Sequence, residues 1–161
     1  MLLKCVRRFR EDRNLLNRGF HLPRDKELPR LAGMFHSSDH GDHWLHVPIE
    51  PLNEKGQTYC RDIHQVPGDP NTIWMAGGAN FQSDLGALFR SVDGGMNWER
   101  VDLGFQPAST MFGIAFDERQ PSQMYCATSG GEMWGSSDSG QNWSAYPLPE
   151  GASQVYALAC G

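Results

Sequence analysis

The sequence predicts an all-β fold assembled from repeated four-stranded antiparallel units. Three observations carry this prediction. The 161 residues include 18 glycines, ten prolines and five tryptophans but only 20% charged residues, a turn-rich mixture that disfavours a helical bundle. An eight-residue pattern recurs three times, and internal repetition of this kind marks modular architectures. After each copy, apolar residues return with the period of two that a half-buried strand requires. The hydrophobic content of 39% is enough to build a core.

The turns come first. The copies are Ser37-Ser38-Asp39-His40-Gly41-Asp42-His43-Trp44, Ser91-Val92-Asp93-Gly94-Gly95-Met96-Asn97-Trp98 and Ser136-Ser137-Asp138-Ser139-Gly140-Gln141-Asn142-Trp143, with the common form Ser-x-Asp-x-Gly-x-x-Trp. Ordinary residue usage would match four fixed positions on the order of once in 10⁵ to 10⁶ starts. Each fixed residue suits a tight connection between strands. Ser and Asp bond nearby backbone amides, Gly accepts positive φ, and Trp opens the next strand with a large apolar face and one N–H.

The strands follow from the turns. Val47 and Ile49, Val101 and Leu103, and Tyr146 and Leu148 stand at the third and fifth positions past each Trp. Residues 63–76 superimpose on 114–127 at an offset of 51, aligning Ile73-Trp74-Met75-Ala76 with Met124-Tyr125-Cys126-Ala127. A further segment, Val155-Tyr156-Ala157-Leu158-Ala159-Cys160, matches Met111-Phe112-Gly113-Ile114-Ala115-Phe116. The unit thus has strands A (59–66 and 111–117), B (72–77 and 123–128), C (86–91 and 132–136) and D (98–103 and 143–148). Strands C and D of a first unit, two full units and one more strand A make eleven strands.

Proline placement agrees, because proline cannot donate to a sheet ladder. Pro67, Pro70 and Pro121 fall between A and B, and Pro51, Pro107 and Pro149 between units, while Pro48 and Pro147 share one place in strand D. Strand D is outermost if the units are blades of a radial array. On these residues the repeated turns resemble Asp boxes, or bacterial neuraminidase repeats, and residues 31–161 resemble part of an Asp-box β-propeller. That family includes sialidases, glucan hydrolases, sortilin-type receptors and photosystem assembly factors. The resemblance implies the fold; function has to be argued from a site.

In such a blade the A–B and C–D turns share one face, and the B–C and D–A connections share the other. A ligand site is expected on the second face, near the central channel and strand A. Asp39 to Asp93 spans 54 residues and Asp93 to Asp138 spans 45, and six of the additional residues lie between strands B and C. They fall in Ala79-Asn80-Phe81-Gln82-Ser83-Asp84-Leu85, on that face. In strand A, Arg61 and Asp62 stand where the aligned copies have Phe112 and Gly113, then Tyr156 and Ala157. Arg61, Asp62, Asn80, Gln82 and Asp84 are therefore the candidate ligand-binding residues. The alternative is that Arg61 and Asp62 satisfy each other and the insertion is a surface loop.

Sialidase chemistry needs several arginines converging on a carboxylate. Residues 31–161 have only Arg61, Arg90, Arg100 and Arg119, three of them assigned to the face of the repeated turns. Another glycoside hydrolase would need two carboxylates about 5 to 10 Å apart, and Asp62, Asp84 and Glu132 are the weak catalytic candidates. The expected function is a non-catalytic propeller-type binding or assembly module with a protein or carbohydrate partner. The alternative is the C-terminal part of a glycoside-hydrolase propeller. His36, His40, His43 and His46 surround the first turn, but a rigid turn spreads its side chains, so no metal site is assigned. No cofactor motif is present.

Residues 1–30 carry nine Lys/Arg against four acids, whereas 31–161 carry five against fifteen. The acidic part is unsuited to nucleic acid, and mixed signs in the basic leader suit a solvated segment. That leader matches no blade strand and reads as a short helix over residues 7–16 or an unpacked extension. Cys5, Cys60, Cys126 and Cys160 form no Cys-x-x-Cys pair and read as core thiols. No apolar run has the roughly 18 residues of a membrane span, and the start lacks a secretory h-region, which suggests a cytoplasmic location. Closed propellers typically use four to eight blades, so a chain with fewer than three complete ones is expected to belong to a larger or homo-oligomeric ring.

Overall fold

The computed structural model describes residues 2–6 and 33–160. Among them are eleven strands and no helix, in chain order β1 (Leu2–Val6), β2 (Gly33–Ser37), β3 (Leu45–Val47), β4 (Tyr59–Val66), β5 (Asp69–Gly78), β6 (Gly86–Ser91), β7 (Glu99–Arg100), β8 (Met111–Phe116), β9 (Met124–Thr128), β10 (Met133–Ser136) and β11 (Ser144–Ala145). They form three antiparallel meanders: β1-β2-β3, β4-β5-β6-β7 and β8-β9-β10-β11. The two four-stranded sheets are the full units read from the sequence. Together the three sheets constitute a partial β-propeller.

The first sheet is larger than expected. β1 pairs antiparallel with β2, Leu2 opposite Ser37 and Val6 opposite Gly33, so residues 2–6 supply a strand where the sequence reading placed a non-blade leader. The expected helix over residues 7–16 lies outside the described residues. At the other end, Val155–Cys160, expected as a further strand A, carries no ladder.

The outer strands are shorter than the 98–103 and 143–148 expected. β3 stops at Val47, immediately before Pro48, and β11 stops at Ala145, two residues before Pro147. The Pro48 and Pro147 ring nitrogens have no proton to continue the ladder. A single further bond extends each full unit: Val101 N–H donates to the Leu88 carbonyl at 2.9 Å, and Tyr146 N–H to the Met133 carbonyl at 2.8 Å. Strand β5 begins at Asp69, earlier than expected, and includes Pro70. This proline falls in the irregular stretch between the pairs Val66–Asp69 and Gln65–Ile73, where the ladder is interrupted.

Side chains on β5 and β6 explain the uninterrupted apolar run Ile73–Ala76. Successive residues of a strand face opposite sides, and both sides of this sheet are covered. Trp74, Ala76 and Leu88 join Met111, Ile114, Phe116, Met124 and Cys126 in a core between the second and third sheets. Met75, Ala87 and Phe89 join Met34, Val47, Leu52 and Cys60 in a core between the first and second. Cys60 and Cys126 are buried, as expected of small apolar residues, and burial pushes the Cys126 thiol well up.

Candidate functional site

The three repeated turns have one geometry. Ser37, Ser91 and Ser136 each donate Oγ–H to Oδ1 of the Asp two residues on, at 2.8, 2.7 and 2.8 Å. The same Oγ accepts the N–H of Gly41, Gly95 or Gly140 at 2.8–2.9 Å. Trp44, Trp98 and Trp143 donate Nε1–H to the carbonyls of those glycines. One contributor was not legible as a fixed position. The residue before the Trp bonds the second carboxylate oxygen, through Nδ2 of Asn97 and Asn142 at 2.6 and 2.7 Å and through Nδ1 of His43.

These bonds occupy the turns internally. His43 is therefore a turn partner of Asp39, and among the described residues no cluster of three or more His, Cys, Asp or Glu could hold a metal ion. Arg90, adjoining the second turn, donates to Glu99 Oε1 at 2.6 Å.

At the opposite end of the blades, two bulges carry the geometry of interest. In β4 the ladder passes from Cys60 to Asp62 and skips Arg61; in β8 it passes from Met111 to Gly113 and skips Phe112. The two skipped residues are 51 apart, the repeat offset. A bulge re-aims the side chain it carries, and here it sets the Arg61 guanidinium over the Phe112 ring, 4.7 Å from its centroid. Phe81 of the insertion lies edge-on to Tyr59 at 5.9 Å and tilted against Phe112 at 5.4 Å. It remains 47% exposed. The third residue in the aligned series, Tyr156, accepts from Arg61 Nη2 on its carbonyl at 3.4 Å and is itself 67% exposed.

Arg61 and Asp62 do not satisfy each other. Asp62 accepts from the Ile63 and Ile114 N–H groups at 3.1 Å each and meets His64 Nε2 at 3.1 Å, so it clamps the inner strands of adjacent blades. Although burial opposes it, the His64 bond leads the effects that hold the Asp62 carboxyl below its usual range, and the Asp62 bond raises His64.

The insertion is a built loop. Thr110 is fully buried; its hydroxyl donates to the Asn80 carbonyl at 2.8 Å and accepts the Ser83 N–H at 3.1 Å. Asn53 Nδ2 holds the Ala79 carbonyl at 2.8 Å. Asn80 Oδ1 caps the Gln82 N–H at 2.9 Å, leaving the Gln82 and Asp84 side chains exposed beside Phe81. Glu132 is occupied elsewhere: Oε2 accepts the Ala108 N–H at 2.9 Å and the Thr128 hydroxyl at 3.2 Å. The structure thus brings Arg61 and the insertion to one aromatic surface and makes Asp62 and Glu132 structural acceptors. Tyr59, Phe81, Phe112, Thr110 and Asn53 were missed; the shared 51-residue offset of Arg61 and Phe112 was the available signal.

Two grooves open elsewhere, at the outer strands. One of about 350 Å³ is lined by residues including Glu50, Arg100, Phe105 and Gln106. The other, about 650 Å³, is lined by Phe105, Trp134 and Trp143 with Asp102, Gln141 and Asn142. None of the candidate ligand residues lines either groove.

A partial ring of meander blades defines the class as β-propeller, and solved propellers superpose on it. An ancestral GH74 enzyme matches with a TM-score of 0.59 at 21% identity over 73% of this chain and 16% of its own. YCF48 bound to D1 peptide matches at 0.53 and 17% identity over 72% and 32%, respectively. In sequence the chain is similar to the xyloglucanase Xgh74A of Acetivibrio thermocellus, 32% identical over 111 residues, which are 61% of this chain and 13% of that enzyme. It is likewise 32% identical over 96 residues to a xyloglucanase of Paenibacillus sp, covering 52% and 9%. The chain therefore spans a small fraction of the curated relatives it matches. No protein-family model matches it.

Proposed function

We propose that this chain is a non-catalytic, propeller-type binding module whose ligand is a carbohydrate, taken at the face formed by the B–C and D–A connections. The observation that carries this reading is Phe81, half exposed and seated on Tyr59 and Phe112, with Asn80, Gln82 and Asp84 around it. A flat aromatic surface accepts the apolar C–H face of a sugar ring, while neighbouring amides and carboxylates take its hydroxyls. Likeness to enzymes named xyloglucanases makes xyloglucan the first ligand to test. We read the three turns as Asp boxes, with structural roles only.

The carboxylates support the non-catalytic part. A general acid needs a raised pKa, whereas Asp62 is held low by its donors and Glu132 caps a turn. The xyloglucanase likeness favours a second reading, a piece of a glycoside-hydrolase propeller. Affinity electrophoresis through xyloglucan gels distinguishes them. The intact chain should be retarded, and Phe81→Ala should bind roughly tenfold more weakly, a loss of about 1.4 kcal/mol. Absence of retardation would overturn the binding reading; reducing sugar released by the intact chain and lost in Asp84→Ala would establish the hydrolase instead.

A further inference from the structure

The two junctions between neighbouring sheets are built from corresponding residues, yet their outer ends differ. At the 45-residue spacing of the second and third turns, Phe89 corresponds to Trp134 and Arg100 to Ala145. At the 54-residue spacing of the first and second, Glu50 corresponds to Gly104 and Pro51 to Phe105. In the ladders Phe89 stands opposite Arg100, and Trp134 opposite Ala145. Directly opposed residues share one face of a sheet, so Arg100 lies beside Phe89 and only a methyl group lies beside Trp134. Between the first and second sheets the Arg100 guanidinium reaches Glu50 at 3.6 Å, and Phe89 is wholly buried. Between the second and third, neither Ala145 nor Gly104 has a side chain that could form such a strap. Trp134 is only partly buried there, stacked on Phe105 with ring centroids 4.2 Å apart and planes at 16°. The groove of about 650 Å³ opens over these two rings and Trp143.

We propose that this groove is a second binding site, separate from the Phe81 face, and that its ligand is a short neutral oligosaccharide. Its volume falls within the roughly 300 to 1,000 Å³ of small-molecule sites. Aromatic rings at its base take the apolar C–H faces of sugar rings, and polar groups at its margin take the hydroxyls. The absent strap is what makes those rings accessible.

The margin is supplied by Asp102, Gln141 and Asn142. Asp102 Oδ1 accepts the Gly104 N–H at 2.9 Å, which fixes the carboxylate in place and leaves Oδ2 to accept from a ligand. Asn142 donates Nδ2–H to Asp138 at 2.7 Å, so its carbonyl oxygen is the group left for the groove. The Gln141 side chain is exposed and can both donate and accept. Among the described residues Asp102 is the one charged side chain in the lining. A sugar carboxylate would therefore meet a like charge with no counter-ion, which selects neutral sugars over acidic ones. A cation could pair with Asp102, but a near-parallel stack offers a flat surface rather than the cage that surrounds an ammonium group.

The groove shares no residue with the Phe81 face, so either site can fail without the other. Cellotetraose, mannotetraose and xyloglucan heptasaccharide are titrated into the full-length Phe81→Ala chain, and the indole N–H signals of its five tryptophans are followed by nuclear magnetic resonance. Those of Trp134 and Trp143 should shift and saturate with at least one of these sugars, while Trp44 and Trp98 stay in place. Phe105→Ala should weaken that binding about tenfold. Ala145→Arg, which gives Trp134 the cover that Phe89 has from Arg100, should abolish it. Trigalacturonate and choline should move neither signal. Silence with all three neutral sugars, a response to trigalacturonate or choline in their place, or undiminished binding in Ala145→Arg would overturn the proposal. Ala145 is exposed on an outer strand, so that variant remains decisive where Phe105→Ala simply fails to fold.

Discussion

At each repeated turn a single carboxylate organises two layers of donors, with the Ser hydroxyl and backbone N–H groups on one oxygen and the side chain before the Trp on the other. All three serines are buried. Ser91→Ala leaves the Gly95 N–H without its acceptor and should cost about 1–3 kcal/mol in urea unfolding. The acids set a pH response. The Asn97 amide, then its N–H and the Ser91 hydroxyl, hold Asp93 at about 2, against 3.8 when free. Asp138 is likewise at about 2, with the Asn142 amide its leading cause, and Asp39 is lowered by His43. Because the unfolded chain binds these protons more readily, the stabilisation is complete above about pH 4 and is lost as pH falls towards 2. Tryptophan fluorescence should report an acid transition in that window, displaced upward in Asn97→Ala. His64 has the opposite sign: its contribution is present below the ordinary value of 6.5 and lost as pH rises through its raised one. Ser, Asp, Gly and Trp were legible because three copies repeat them. The partner before the Trp was not, since histidine and asparagine perform one role with different letters.

Among the elements, proline and glycine decide where strands stop and how closely blades approach. In β3 and β11 strand D was legible by its period of two but not by its end, because apolar alternation continues past the residue at which a proline removes the ladder donor. Gly140 shows the tertiary side of a turn glycine. It has φ of +82° and lies against the Trp74 ring of the neighbouring blade, so an added Cβ would collide with that ring. Gly104 has φ of +71° with open space around it. Gly140→Ala should therefore cost about 1–3 kcal/mol through strain and overpacking together, and Gly104→Ala distinctly less, as read from paired thermal melts. The strand at residues 2–6 escaped notice because five residues without a repeated turn of their own carry too little pattern; only pairing with β2 identifies them.

For the molecule as a whole, the unit that folds is the space between blades. Both cores are made jointly by two sheets, so each blade depends on its neighbour. Arg61 lies on the inner strand β4, and Phe81 reaches it from the insertion between β5 and β6.

The amino-acid sequence by itself determined the class of fold, the unit of repetition, the turn chemistry and the face on which the insertion lies, because these depend on local pattern and on copies that can be aligned. Tertiary structure alone decided that Asp62 and Glu132 serve as acceptors between segments and that Arg61 and Phe81 meet on Phe112. It also decided that residues 2–6 form a strand of the first sheet. Each of these is a contact between parts of the chain far apart in sequence, made by residue types that elsewhere would stand in solvent, and only packing determines which partner they find.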